Sequence, residues 1–169
     1  SNRLGSMEHR RDVLSDLVIH RSRHLRFDGA LDRIDRAGSA TNPYCGDVVT
    51  VAITIGGLQD SLPKLRFVRC AVEGCALCKA SADLMAECLE GCHLSDLAPS
   101  STAFEQLLGS NLVDGSLPDR LLPLRPFEAL RTVPARHHCA LLPWRAMNLA
   151  LTTSGDLGSS TEPLPVPPQ

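Results

Sequence analysis

Three short stretches of this chain set a cysteine beside a second polar or metal-binding side chain: Asn42-Pro43-Tyr44-Cys45-Gly46-Asp47, Glu73-Gly74-Cys75-Ala76-Leu77-Cys78 and Arg136-His137-His138-Cys139. Thiolates are ligands for zinc and for the iron of iron–sulfur clusters, and Asp and His complete mixed sites. Brought together, the stretches offer Cys45, Asp47, Cys75 and Cys139, an S₃O set suited to tetrahedral zinc. Exchanging Asp47 for His138 gives S₃N, equally suited to zinc or to a 2Fe-2S cluster. Cys45 and Asp47 stand two residues apart at the start of a β-branched run, so an extended backbone projects both from one face. Any one of these cysteines alone fits an ordinary packed core, so the argument depends on the three stretches meeting.

The elements between them favour that meeting. Val48 to Ile55 alternates and is rich in β-branched residues, which predicts a strand, and Gly56-Gly57 signals a hairpin. Lys64 to Val72 supplies the returning strand through Leu65, Phe67, Val68 and Val72. An antiparallel pair of this kind places Cys45, before the first strand, and Cys75, after the second, at the same end. Beyond Gly74 the period changes to that of a helix: Leu77, Ala80, Leu84, Met85, Cys88 and Leu89 recur, and Gly91 is the expected C-terminal cap. Cys75 then stands at a helix start, where free N–H groups and the helix dipole favour a thiolate. Pro134 suits the first position of a late helix carrying Cys139, Leu142, Trp144 and Met147. Pro143, which cannot donate to the carbonyl four residues back, is expected to kink that helix or begin its second half.

Elsewhere the signals concern scaffold. Val13, Leu14, Leu17 and Val18 mark an amphipathic helix over Glu8 to Arg23. Its arginines, Arg10, Arg11, Arg21 and Arg23, are read as a solvated face, with a basic docking surface as the alternative. Phe27 to Thr41 reads as loop, Thr102 to Glu105 as a capping box for a short helix ending at Leu108, and Gly109 to Pro126 as a surface excursion. Phe127 to Leu130 offers one more helical turn. Residues 1–7 are expected to be a tag remnant, 8–151 one domain and 152–169 a disordered tail rich in Ser, Gly and Pro. The sum is an α+β fold: a small antiparallel sheet with helices packed on it and the cysteine site at one exposed end.

Composition narrows the chemistry. The 169 residues are 43% hydrophobic and carry a net charge of −2, with no run near the roughly 18 apolar residues of a membrane span. Interspersed charge disfavours a nucleic-acid groove or a membrane-binding face, and one Trp with one Tyr cannot build a base-stacking platform. Seven cysteines, an odd number with no hydrophobic signal peptide before them, point to reduced thiols in the cytoplasm rather than a disulfide framework.

In order and spacing, NPYCGDVV, EGCALCKASADLM and VPARHHCALLPW together resemble the U-type iron–sulfur cluster assembly family: IscU, SufU and the N-terminal domain of NifU. The resemblance covers Arg10 to Ala150 and implies the fold of that family. It matches Cys45, Cys75 and Cys139 to the family cysteines and Asp47 to the family aspartate. It implies an assembly protein that accepts persulfide sulfur from a SufS-like cysteine desulfurase, with Cys45 and Cys139 carrying sulfur. Iron or a transient 2Fe-2S cluster would be held by Cys45, Asp47, Cys75 and Cys139, with His138 a further candidate ligand. Acceptor apo-proteins or a downstream SUF scaffold would take the product. The alternative is a zinc-dependent sulfurtransferase of the SufU kind, with Zn(II) at rest; a structural zinc protein is a distant third. Either way the chain resembles a scaffold or sulfur acceptor rather than a conventional enzyme.

The branch is mixed. The long stretch between Cys75 and Cys139, Arg136, and Cys139-Ala140 followed by Trp144 resemble SufU. The Leu-Pro-Pro-Val-Lys motif of IscU proteins is replaced by Leu130-Arg131-Thr132-Val133-Pro134, yet His138 before Cys139 resembles IscU. Asp47 would be a ligand or a control on lability, since a hard carboxylate holds a cluster less firmly than a thiolate. Cys78, three residues after Cys75, is assigned to helix packing, with lining the site as the alternative. Cys70, Cys88 and Cys92 are packing residues, His137 faces solvent, and His138 is either a ligand or a support behind one. Ser81 and Asp83 are expected on the helix surface or in its packing.

Overall fold

A computed structural model describes residues 2–57, 62–109 and 116–152, with the side chains of 2–4 left out. In chain order it contains α1 (Asn2–Arg23), β1 (Arg36–Thr41), β2 (Val48–Gly56), β3 (Lys64–Glu73), α2 (Ala76–Leu89), α3 (Leu97–Gly109) and α4 (His137–Thr152). A 3₁₀ turn at Leu94–Asp96 leads into α3, and 3₁₀ turns over Asp119–Thr132 and Pro134–Arg136 lead into α4. The fold is α+β: an antiparallel sheet of three strands in the order β1-β2-β3, with helices packed on it. No helix among the described residues is long and apolar enough to cross a membrane.

The sheet works as a base because its two faces differ in chemistry. Val49, Val51 and Ile53 of β2, with Leu65, Val68 and Cys70 of β3, are buried on the side that faces the helices. On the opposite face small and polar side chains align across strands, as where the Thr50 hydroxyl donates to Ser39 Oγ at 3.3 Å. α2 sits at the centre of the helical layer, packed by α1, β3, α4 and the 3₁₀ segment. Its burial continues round the whole helix, from Leu77 through Ala86 to Leu89, as befits a helix surrounded by protein. The helix ends at extended Glu90, and Gly91, expected as its cap, instead uses φ +92° in the tight turn closed by the Cys92 N–H on the Leu89 carbonyl at 3.0 Å, its own N–H donating to the Leu65 carbonyl of β3 at 2.6 Å.

Two polar residues of α2 owe their places to this centrality. Asp83 is 2% exposed and accepts bonds from Arg21 Nη2 at 2.7 Å and from the backbone N–H groups of Arg26 (2.9 Å) and Phe27 (3.0 Å). It fixes the C-terminal end of α1, and the chain leaving it, to the hub helix. Ser81, fully buried, donates its hydroxyl to the Ala140 carbonyl of α4 at 2.6 Å. Both residues belong to the packing, and neither lies on the helix surface.

The structure corrects the sequence-based expectations at three elements. Residues 36–41, expected as loop, form strand β1, paired along its length with β2. Its sequence, Arg-Ala-Gly-Ser-Ala-Thr, lacks the branched and aromatic residues that mark strands because α4 crosses it at close range. A Cβ on Gly38 would lie 2.4 Å from both the Ala146 carbonyl oxygen and the Ala150 nitrogen. α3 begins at Leu97, so Thr102 is inside a helix and the proposed capping box is not one. The stretch 119–126, expected on the surface, is instead part of the core: Leu121, Leu124, Phe127 and Leu130 are all buried. Their spacing of three is the period of a 3₁₀ helix, which stacks i and i+3. Phe104 of α3 bridges this segment to α4, edge-on to Phe127 at 5.5 Å and stacked on Trp144 at 4.8 Å.

At its ends, α1 starts at Asn2, so residues 2–7 are helical, and α4 includes Thr152. The disordered tail expected from residue 152 otherwise lies outside the described residues. The close approach of β1 and α4 gives a direct test. Gly38→Ala forces two backbones apart and is expected to lower unfolding free energy by about 1–3 kcal/mol, the range of core overpacking. Urea denaturation measures it, and an unchanged midpoint contradicts the contact.

Candidate metal centre

The first wall of the site is the turn between β1 and β2. Asn42 is 3% exposed and organises it: its Oδ1 accepts the Tyr44 N–H at 3.0 Å, and its carbonyl accepts the Gly46 N–H at 2.8 Å. Its own N–H donates to the Asp47 carbonyl at 2.8 Å. Side-chain capture of the residue two ahead is the natural role of Asn in a turn, and Gly46 supplies the φ of +75° that closes it. The turn leaves Cys45 exposed at its tip and sends Asp47 inward, where it is 7% exposed.

The second wall is the start of α2. Cys75 is the N-cap residue, with extended backbone and no side-chain capping bond, so its half-buried thiol is not spent on the helix end. Gly74 is glycine for a steric reason: a Cβ there would stand 2.7 Å from Asp47 Cγ. The carboxylate lies on bare backbone, and the Cys75 N–H points to its Oδ2 at 3.4 Å. A carboxylate is well placed at a helix start, where free N–H groups and the dipole favour negative charge.

The third wall is the first turn of α4, which carries half-buried Cys139. Pro143 lies inside this helix, buried, and cannot donate to the Cys139 carbonyl. The bond from Ser81 to the next carbonyl, that of Ala140, ties the same turn to α2. Thus the sequence feature expected to disturb the helix sits beside a specific hydrogen bond from the hub.

These walls bring the ligand atoms of Cys45, Asp47 and Cys139 to within 4.8 Å of one another. Cys75 is outside that group, at the adjoining start of α2, and its thiol helps to raise that of Cys139. His138 is not part of the group: it is exposed, with its ring 5.7 Å from that of Tyr44. His137, expected in solvent, is half-buried, with Nε2 2.6 Å from the Leu130 carbonyl oxygen. Cys70, Cys78 and Cys88 are buried and Cys92 half-buried, as packing residues are. Asn42, Gly74 and Ser81 are the site residues that motif reading undervalued. Their signals were present: an Asn-Pro turn, a glycine before the helix, and a serine among alanines on a buried helix.

Electrostatics explains what the arrangement needs. Burial pushes the Cys139 thiol up to about 12, and neighbouring Cys75, Cys45 and Asp47 add to the rise. Cys78 is raised further, first by burial and then by Cys75, Asp47, Cys139 and Cys45. A thiol raised in this way, as that of Cys139 is, stays protonated until a cation joins it. A soft divalent ion held by Cys45, Asp47, Cys75 and Cys139 meets that need, and the donor set fits zinc or iron.

A three-stranded sheet carries a buried hub helix, and thiols and a carboxylate converge at its end. The chain belongs to the NifU-like N-terminal domain family, whose model matches residues 14–153. It is similar to the zinc-dependent sulfurtransferase SufU of Bacillus subtilis (strain 168), 31% identical over 109 residues that span 63% of this chain and 67% of that one. It is also similar to the iron–sulfur cluster assembly scaffold protein IscU of Thermotoga maritima, 25% identical over 140 residues, 82% of this chain and 92% of the relative. The crystal structure of a protein assigned as the SUF-system scaffold of Fervidobacterium islandicum AW-1 matches with a TM-score of 0.70 at 25% identity, covering 80% of this chain and 94% of that one. A NifU-like N-terminal structure from Brucella abortus shares the fold at a TM-score of 0.67 and 24% identity.

Because each ligand thiol must lose its proton to bind, zinc affinity is expected to rise with pH by about tenfold or more per unit. With Cys139 near 12, the rise is expected to continue beyond pH 9, the level of an ordinary thiol. Chelator competition across pH 6.5 to 9.5 measures this, and a flat profile contradicts thiol ligation.

Proposed function

We propose that this chain is an iron–sulfur cluster assembly protein in which Cys45 accepts persulfide sulfur from a cysteine desulfurase and Cys45, Asp47, Cys75 and Cys139 bind iron or a transient 2Fe-2S cluster. The observation that carries the reading is the division of exposure in the site. Cys45 is exposed on a turn tip, while Asp47, Cys75 and Cys139 are sheltered around it. A partner's persulfide can therefore reach one thiol while the other donors remain in place. Tyr44, 85% exposed, and His138 frame that thiol, a rim suited to contact with a partner.

The chemistry is thiol–persulfide exchange. The Cys45 thiolate attacks the outer sulfur of the desulfurase persulfide; a new S–S bond forms on Cys45, the old one breaks, and the desulfurase cysteine leaves as thiolate. No net oxidation occurs. Cys139, beside Cys45, is the next thiol able to take the sulfur. In the scaffold role the cluster is cargo, handed to acceptor apo-proteins or a downstream SUF scaffold. Asp47 suits that role, because a carboxylate among thiolates weakens the hold on a soft ion. The setting is the cytoplasm, where thiols stay reduced.

A second reading has its own support. Similarity to a zinc-dependent sulfurtransferase at 31% identity favours a resident zinc, with sulfur relayed to a separate scaffold. In that case the same four residues hold zinc, which supplies charge compensation for the thiolates.

Incubation with a desulfurase and cysteine is expected to add one sulfur atom to Cys45, read by peptide mass, and Cys45→Ser is expected to reduce loading and desulfurase stimulation to background. Anaerobic reconstitution with iron and sulfide is expected to give a coloured cluster. A colourless protein that holds zinc and refuses a cluster selects the relay. Absence of sulfur on Cys45 overturns both readings.

A further inference from the structure

The arginines of α1 divide in the structure. Arg21 is spent on the hub helix, at 2.7 Å from Asp83 and 3.4 Å from Glu87, and Arg23 is exposed near the end of α1. Arg10 and Arg11 instead border two cavities of about 240 and 460 Å³ between α1 and the 3₁₀ segment. Arg11 and Ala129 line both, so the cavities adjoin as one trough. Along α1 it runs from Met7 to Val18, roughly 16 Å at helical rise. Its floor is apolar, made by Leu14, Val18, Leu77, Leu130 and Val133. Its rim is basic. Arg10, Arg11 and Arg131 line the smaller cavity and Arg136 the larger, against Glu128 as the one carboxylate among the lining residues. Glu128 is already shared by Arg10 at 3.7 Å and Arg125 at 3.9 Å. Arg11 Nη2 donates to Thr132 Oγ1 at 3.4 Å, an exposed bond across the trough that leaves its charge uncompensated. Among the described residues neither Arg11 nor Arg136 has a carboxylate partner. A chain of net charge −2 thus carries a local excess of positive charge here.

We infer that this trough docks an acidic amphipathic helix of a partner protein, its apolar side chains on the floor and its carboxylates on Arg11 and Arg136. Laying one apolar helix face into an apolar groove is an established way of binding a peptide, read as anchors at i, i+3, i+4 and i+7. The shape selects a helix, because the trough follows α1 for about three turns and a helix laid alongside repeats its spacing. Charge selects the sign. A basic helix would set like charges against the rim, whereas an acidic one supplies the partners that Arg11 and Arg136 lack. The trough also ends at the metal centre: Ala76 and Leu77 follow Cys75, and Arg136 stands three residues before Cys139. A partner seated there lies beside the start of α2 and the turn that leads into α4. The inference concerns the face of α1 and holds whether or not Cys45 accepts sulfur.

Fluorescence anisotropy of the full chain with a labelled, hydrocarbon-stapled helical peptide tests this. The peptide carries Leu along one face at i, i+3, i+4 and i+7 and Glu elsewhere. Two controls have Lys in place of Glu, or the same composition with the leucines spread round the helix. The acidic amphipathic peptide is expected to bind, more weakly as salt rises, and both controls to bind at least about tenfold more weakly. Arg11→Glu is expected to weaken binding by about tenfold or more, and Arg23→Glu, on α1 but outside the trough, to leave it within about twofold. Both positions are exposed, and an unchanged urea midpoint shows that each variant is folded. Absence of binding overturns the inference, as does equal binding of either control. Equal weakening by Arg11→Glu and Arg23→Glu also overturns it, by reducing the effect to overall charge. Sedimentation checks another occupant: a wild-type dimer that Arg11→Glu dissociates seats a second copy in the trough and overturns the partner helix.

Discussion

Two thiols and a carboxylate within 4.8 Å of one another, with the Cys75 thiol adjoining, repel one another as soon as they ionise, and this fold holds them there. Buried like charges interact strongly because little water screens them. The cost appears in Cys139, raised to about 12 by burial and by its neighbours. Such a cluster persists only if its supports are stiffer than the repulsion and if a cation completes it. Each wall is accordingly fixed by a bond of its own: Asn42 closes the hairpin turn, bare Gly74 receives the Asp47 carboxylate, and Ser81 holds the first turn of α4.

All three walls refer to α2. Its N-cap is a site residue, its middle binds α4 through Ser81, and Asp83 two residues on binds the end of α1. Losing one partner of a buried ion pair such as Arg21–Asp83 costs about 3–5 kcal/mol, since the other charge remains buried. A buried serine hydroxyl that loses its partner costs about 1–3 kcal/mol. The hub is thus polar at a few chosen points and apolar elsewhere, and those points set the direction of the helix relative to sheet and site. The packing of Phe104 on Trp144 and Phe127 works at the other end, keeping α4 and the 3₁₀ segment together.

What the sequence made legible, and what it hid, divides along the same physical line. Alternation in β2 and β3 and helical period in α2 come from residues packing on one face, so they could be read, and with them the shared end of Cys45 and Cys75. Strand β1 was hidden because its composition answers to α4 rather than to strand propensity: Gly38 exists to let a helix backbone approach. The segment 119–132 was hidden by Pro123 and Pro126, which break an α-helix but fit successive 3₁₀ turns. At the site, the motif cysteines and Asp47 stood out by type, whereas Asn42 and Ser81 act through backbone contacts that no spacing rule displays. His137 is a further case, its ring turned from solvent to the Leu130 carbonyl by the 3₁₀ turns before α4.

Asp47 and His138 are both attached to walls that carry a cysteine, yet the geometry treats them differently. Asp47 is inside the group and rests on the Gly74 backbone, while His138 is exposed beside Tyr44. A carboxylate in the sheltered set and an imidazole on the rim suit a site that must hold an ion and also let it, or the sulfur beside it, go. The hard oxygen lessens the hold on soft metal from within. From the rim, Tyr44 and His138 shape the approach to Cys45. The two proposed roles, scaffold and relay, make the same demand on this arrangement: sheltered donors beside one exposed thiol.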